Sequence, residues 1–179
     1  MKLKNNNDIK IVDFNKNCLP IEKHIEWVHE IIKNTFEQNP ETFSIEESLS
    51  WMHSFENIIK SLKYWENSEN RKTCNIKLRI AINSFNQRII GYIYSSERNY
   101  LNSEKKFDEL INFRVLKKFQ WLWIGSSLYK LYDKNRKQNM QYLLTKKWTI
   151  AEKIYEHYWF EEYDSLPDKP EYIHMIKYD

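Results

Sequence analysis

Two glycines in 179 residues constrain this chain more than any other feature of its sequence. A soluble protein carries about 7% glycine, and here the share is about 1%. Backbone positions with φ > 0 cost glycine nothing, and Asn and Asp tolerate them next best. With only Gly91 and Gly125 in the chain, those positions are expected to fall largely to Asn and Asp, which are abundant in the turn segments.

The remaining composition is that of a globular protein. Apolar residues make up 41% and charged residues 30%, so the chain can bury a core and is not a disordered polymer. Its length suits a single domain over residues 1–179. No run of about 18 apolar residues exists to span a membrane, and Met1–Lys10 lacks the apolar stretch of a secretory signal. With Cys18 and Cys74 as the only cysteines, free thiols in a reducing cytoplasm are expected. A net charge of +3, with Lys and Glu interleaved, argues against nucleic acid as a partner. The one basic cluster, Arg114, Lys117 and Lys118, sits at a strand end and suits a phosphate-bearing ligand equally well.

Periodicity places the elements. Asp8–Phe14 alternates as a first strand, and after Pro20 the residues Ile21, Ile25, Val28 and Ile32 recur at helical spacing. Ser44–Glu47 has the form of a capping box behind Phe43, and Leu49, Met52, Ile59 and Leu62 continue a second helical stripe. From Asn75 the period falls to two. Ile76–Ile82 and Arg88–Ser95 read as a hairpin around a turn at Asn83–Asn86. A third strand spans roughly Glu109–Val115, and a helix opens near Gly125 with Leu128, Leu131 and Tyr132 on one face. Met140–Lys146, Ile150–Tyr158 and Tyr172–Tyr178 read as strand, helix and strand. This order predicts an α+β domain, an α/β/α sandwich. Its mixed, mostly antiparallel twisted sheet would have six or seven strands, flanked by about four helices.

Val115–Leu128 reads Val-Leu-Lys-Lys-Phe-Gln-Trp-Leu-Trp-Ile-Gly-Ser-Ser-Leu. It resembles the acetyl-coenzyme A motif of the GCN5-related N-acetyltransferases, in which a strand ends in Val and Arg/Gln-x-x-Gly-x-Gly/Ala opens a helix. Val115, Phe119, Gln120, Ile124, Gly125, Ser126 and Leu128 match without a gap. Ala151–Phe160 is similar to the family's second signature, Ala-x-x-x-Tyr-Glu-Lys-x-Gly-Phe. Ile89–Ile93 resembles the strand that ends its central hairpin. The three matches run in order from about residue 75 to the end.

The resemblance implies an acyl-CoA N-acyltransferase fold. It also implies acetyl-CoA as co-substrate, a small-molecule amine as acceptor, no metal, and a monomer or homodimer. It assigns the cofactor to Phe113, Val115, Gln120, Trp121, Leu122, Trp123, Ile124, Gly125 and Ser126. The loop amides would bind pyrophosphate, since the first turn of a helix offers unpaired N–H groups and a positive dipole end. The pantetheine arm would pair as an extra strand near Phe113–Val115. Tyr155 becomes the candidate general acid for the departing thiolate, because a phenol with an ordinary pKa of ~10 can supply that proton. Glu109 becomes the candidate general base. Where the family's second motif leads into the last strand, Glu161, Glu162, Asp164, Asp168 and Glu171 form an acidic loop. That loop suits a cationic acceptor such as a polyamine or aminoglycoside.

Four tryptophans depart from the motif. Trp123 replaces its central Gly, and Trp121 stands where Gly or Arg is usual. Trp159 takes the place of the Gly in Gly-Phe, and Trp148 that of an Asn before the last helix. An indole at a left-handed position costs roughly 1–2 kcal/mol. Trp121 and Trp123 serve either as packing anchors or as stacking surfaces for adenine. If Trp123 fills the cleft, the domain is a non-catalytic binding or regulatory module. Cys18, His24 and His29 match no zinc spacing, and the two histidines read as a solvated helix face.

Overall fold

The change of period near residue 75 marks the start of a sheet. In the computed structural model, which describes residues 8–14, 21–37, 46, 49–50, 56, 76–99, 105–120 and 123–179, β2 (Ile76–Asn83) and β3 (Ile89–Asn99) form the expected hairpin. Before it come β1 (Ile9–Asp13) and α1 (Ile21–Glu37). After it come β4 (Lys106–Val115), a 3₁₀ turn at Lys117–Phe119, α2 (Ile124–Asn135), β5 (Met140–Lys146), α3 (Ile150–His157), β6 (Glu161–Leu166) and β7 (Lys169–Tyr178). The strands lie in the order β1-β2-β3-β4-β5-β7-β6. β4 and β5 run parallel, while β1–β2, β5–β7 and β6–β7 are antiparallel. Among the described residues there are three α-helices where about four were expected. Of the expected helix over 44–62 only residues 46, 49–50 and 56 are described, and these are helical; Cys18, Cys74 and Trp121 lie outside the described residues.

The chain packs as two compact units, 1–94 with 112–135 and 95–111 with 136–179, so that β3 and β4 each run through both. In the first, β2 is buried on both faces from Leu78 to Ile82. α2 packs on β1 and β2, and Val28, Ile31 and Ile32 of α1 are fully buried. The charged member of this core is Arg79, 1% exposed, whose register partner is Asp13. Its Nε lies 3.3 Å from Asp13 Oδ1, and its guanidinium lies over the Tyr132 ring. A buried cation needs such partners, because desolvation without them costs several kcal/mol.

In the second unit the sheet is buried on one face only. Asp108, Leu110, Gln141, Leu143, Thr145, Ile173 and Met175 are buried, and α3 packs on β5. The opposite face carries Phe107, Glu109, Tyr142, His174 and Ile176, all half-buried.

Two expectations are corrected. The acidic segment before the last strand is not a loop: Glu161–Leu166 is β6, joined to β7 by a turn at 167–168. It is the last strand of the sheet, and its exposed polar residues carry no apolar alternation to betray it. Nor, among the described residues, do Asn and Asp take the left-handed positions. Among the described residues these are Gln87 (φ 56°), Trp148 (φ 58°) and Trp159 (φ 69°). In the hairpin the asparagines are used as acceptors instead. Asn83 Oδ1 receives the Phe85 N–H and Asn86 Oδ1 receives the Arg88 N–H, which leaves Gln87 to make the turn.

Candidate functional site

α2 and its approach hold the residues matched to the cofactor motif. The helix opens after Trp123, which is half-buried and whose indole has no acceptor to cap an N–H group. The Trp123 carbonyl starts the helix by accepting from Ser127 N at 2.9 Å. No acid occupies the first turn. Ile124 is fully buried and Ser126 exposed, so at Ile124 only the backbone can face a ligand.

Gly125 is not demanded by the fold. Its φ is not positive, and a Cβ there would meet Phe113 Cζ at 3.5 Å and Val115 Cγ2 at 3.9 Å, which is ordinary contact. Helix propensity would favour Ala by about 1 kcal/mol. Gly91 is the opposite case. A Cβ there would meet the Arg114 carbonyl and Val115 Cγ2, each at 3.1 Å, and Leu128 Cδ1 at 3.3 Å. Gly91 lets β3 and α2 close together, whereas Gly125 keeps backbone accessible at a helix start.

Phe113, Val115 and Gly125 are thus brought together. Gln120 is exposed, and its Nε2 donates to the Val115 carbonyl at 3.0 Å. Trp121 and Leu122 lie outside the described residues. β4 pairs with β5 from Asp108 to Leu110, and among the described residues Ile111–Val115 has no β5 partner. Within this stretch Asn112 Oδ1 accepts from both Tyr92 Oη and Arg114 Nε, each at 3.1 Å. Burial pushes the Tyr92 phenol up to about 12, against a smaller opposing pull from Arg114.

The two catalytic candidates belong to the second unit. Tyr155, 8% exposed, is set by the way α3 ends. Trp159 in the left-handed conformation donates to the Glu156 carbonyl at 2.9 Å, and Phe160 N donates to the Tyr155 carbonyl at 3.1 Å. These are the two bonds of a Schellman ending, completed by the edge-to-face contact of Phe160 with Tyr155. Trp159 therefore fills a backbone role usually given to Gly. Glu109 stands on the half-buried face, away from α3, and its Oε2 accepts from Arg98 Nε at 2.9 Å. That contact engages one of the lone pairs a base would need.

Sequence reasoning passed over Tyr142 and His174, and it read Asp164 only as part of an acidic loop. Their signal lay in strand register, which single-strand periodicity does not carry. Among the described residues no three His, Cys, Asp or Glu are grouped to hold a metal ion, and no described helix is long and apolar enough to cross a membrane. His29, expected on a solvated face, is instead half-buried beside Glu56 at 3.4 Å.

No protein-family model matches the chain, and no curated protein does. Solved structures do. PaiA N-acetyltransferase from Thermoplasma acidophilum, in complex with coenzyme A, superposes with a TM-score of 0.68 at 16% identity, covering 96% of this chain and 99% of that one. An acetyltransferase from Streptococcus agalactiae gives 0.65 at 17% identity, over 96% and 99%. An acetyltransferase of the GNAT family from Staphylococcus aureus gives 0.63 at 20%, over 95% and 98%. At these identities the likeness is one of fold, and the α+β fold is the one these acetyltransferases share.

Proposed function

We propose that this chain, which has the fold of the GCN5-related N-acetyltransferases, moves the acetyl group of acetyl-CoA to a primary amine, with residues 1–179 acting as one catalytic domain. The observation that carries this reading is the start of α2. There a glycine that packing does not require keeps open a helix entrance without an acid in its first turn. Such an entrance presents N–H groups and a positive dipole end to phosphate oxygens. The neighbouring stretch of β4 without a β5 partner suits an extended amide-bearing chain.

Acetyl-CoA supplies a thioester carbonyl for attack by the neutral amine. In this reading backbone N–H groups polarise the carbonyl, as fixed dipoles in a dry site do most effectively. Tyr155, held by its Schellman ending and Phe160, gives its phenolic proton to the departing sulfur. Glu109 remains the candidate base, in competition with Arg98. The acceptor would be a small cationic amine, in keeping with the carboxylates on β6.

A second reading rests on Trp123 being half-buried in the motif's central glycine place. It makes the chain a non-catalytic module with the cofactor cleft filled. Calorimetry with acetyl-CoA, using desulfo-coenzyme A as control, separates the two. Micromolar binding, followed by thiol release with amines and its loss in Tyr155→Phe, is the expected result. No binding at millimolar cofactor, with binding gained in Trp123→Gly, would establish the second reading.

A further inference from the structure

The open face of the second unit's sheet gathers chemistry that the cofactor reading leaves unused. Glu109 on β4 is the register partner of Tyr142 on β5. Asp164 on β6 is the register partner of His174 on β7. The Tyr142 ring lies 5.5 Å from Phe107 and 5.2 Å from His174, centroid to centroid, so it is held between them. Directly opposed residues in a sheet project from the same face. Tyr142 is opposite Ile176 and His174 opposite Leu144, so Tyr142 and His174 are diagonal neighbours, and Glu109, Tyr142, His174 and Asp164 share one face across four strands.

Asp164 owes its place to an irregularity. Glu161 pairs with Ile176, Glu162 with Met175 and Asp164 with His174, with a register shift between Glu162 and Asp164. In a regular strand Tyr163 and Ser165 would share the face of Glu161. The bulge turns Asp164 onto that face instead, and bulges re-aim side chains in this way beside functional sites. Asp164 has no ion pair among the described residues; its Oδ1 accepts only from Ser165 N. Burial first, then the charges of Glu109 and Asp164, raise the Tyr142 phenol above its ordinary value. Both carboxylates are therefore within electrostatic reach of that ring.

We propose that this face binds the cationic amine acceptor, with its ammonium on the Tyr142 ring between the carboxylates of Asp164 and Glu109. The proposal rests on the acetyltransferase reading for its meaning but not for its test. An aromatic face attracts a cation through its quadrupole, and the carboxylates add charge complementarity. Phe107 and His174 hold the ring in place, and Arg98 shares Glu109, leaving Asp164 the stronger determinant.

The test titrates the full chain with 1,4-diaminobutane, and with 1,4-butanediol as a neutral match, following the ring signals of Tyr142 and His174 by NMR. The diamine is expected to shift both signals in a salt-sensitive manner, and the diol neither. Asp164→Asn should weaken diamine binding roughly three- to tenfold, and Tyr142→Leu by a similar factor. Asp164 is exposed, so its variant decides the matter if Tyr142→Leu does not fold. Wild-type diamine affinity in Asp164→Asn, or equal shifts with the diol, would overturn the site. Acetyl-CoA affinity measured on the same samples keeps the two readings apart. Diamine binding without cofactor binding removes the transferase and keeps the amine site, and the reverse removes only the amine site.

Discussion

The two helices that follow parallel strands begin in opposite ways. α3 is closed by its own side chains: Thr149 accepts from Glu152 N at 3.3 Å, and Glu152 reaches back to accept from Trp148 N. This is a capping box whose return bond reaches one residue past the N-cap, with an acid in the first turn, and it leaves less for a ligand to satisfy. α2 starts behind a tryptophan, has no acid in its first turn and carries glycine at its second position. The same chain thus spends polar side chains on one helix entrance and withholds them from the other. The difference teaches that an entrance is worth reading as a binding place when its sequence could have been capped and is not.

The largest expected effect sharpens this contrast directly. Gly125→Asp places a carboxylate at the positive end of α2, where it favours the helix, and the space around Gly125 admits a side chain. Acetyl-CoA affinity by calorimetry should fall roughly ten- to hundredfold while the melting temperature holds or rises. An unchanged affinity would break the contrast. The next concerns polar groups that the first unit does close. Tyr92 stays protonated when folded up to about pH 12, whereas the unfolded chain releases that proton near pH 10. The unfolded state then binds fewer protons, so stability is full below pH 10 and declines through pH 12. The loss is about 2–3 kcal/mol by denaturant titration and should be absent in Tyr92→Phe. Thr149→Ala should cost about 1 kcal/mol and leave acetyl-CoA affinity untouched, since that entrance is sealed. The smallest effect is a gain. Trp159→Gly relieves the left-handed strain at an 81% exposed indole and should raise stability by somewhat under ~1 kcal/mol in thermal melts.

What the sequence disclosed depended on whether one strand or two were needed to see it. The β2–β3 hairpin was legible because β2 alternates and β3 is a short apolar run just after a turn, and α2 because Leu128 and Tyr132 repeat at helical spacing. The Val-to-Leu motif led to Val115, Phe113 and Gly125, which do lie together. β6 was hidden because Glu-Glu-Tyr-Asp-Ser-Leu has no apolar rhythm and gains its order from β7 alone. The shared face of Glu109, Tyr142, His174 and Asp164 was hidden for the same reason, made sharper by a bulge that no periodicity announces. Trp148 and Trp159 were visible as departures from a motif, and their left-handed backbones give those departures a physical meaning. The glycine shortage, by contrast, misled toward asparagine, whose side chains here serve the turn as acceptors.

β6 also bears on how copies of this chain behave in a crowded solution. An outermost strand is a template on which another strand can add, and long flat edges invite aggregation. Here the edge is six residues long, interrupted by a bulge and lined with Glu161, Glu162 and Asp164. Two such edges approaching each other would set carboxylate against carboxylate over a bent backbone. The strand that carries the acidic edge of the proposed amine-binding face is thereby also a guard against fibrillar stacking of the sheet.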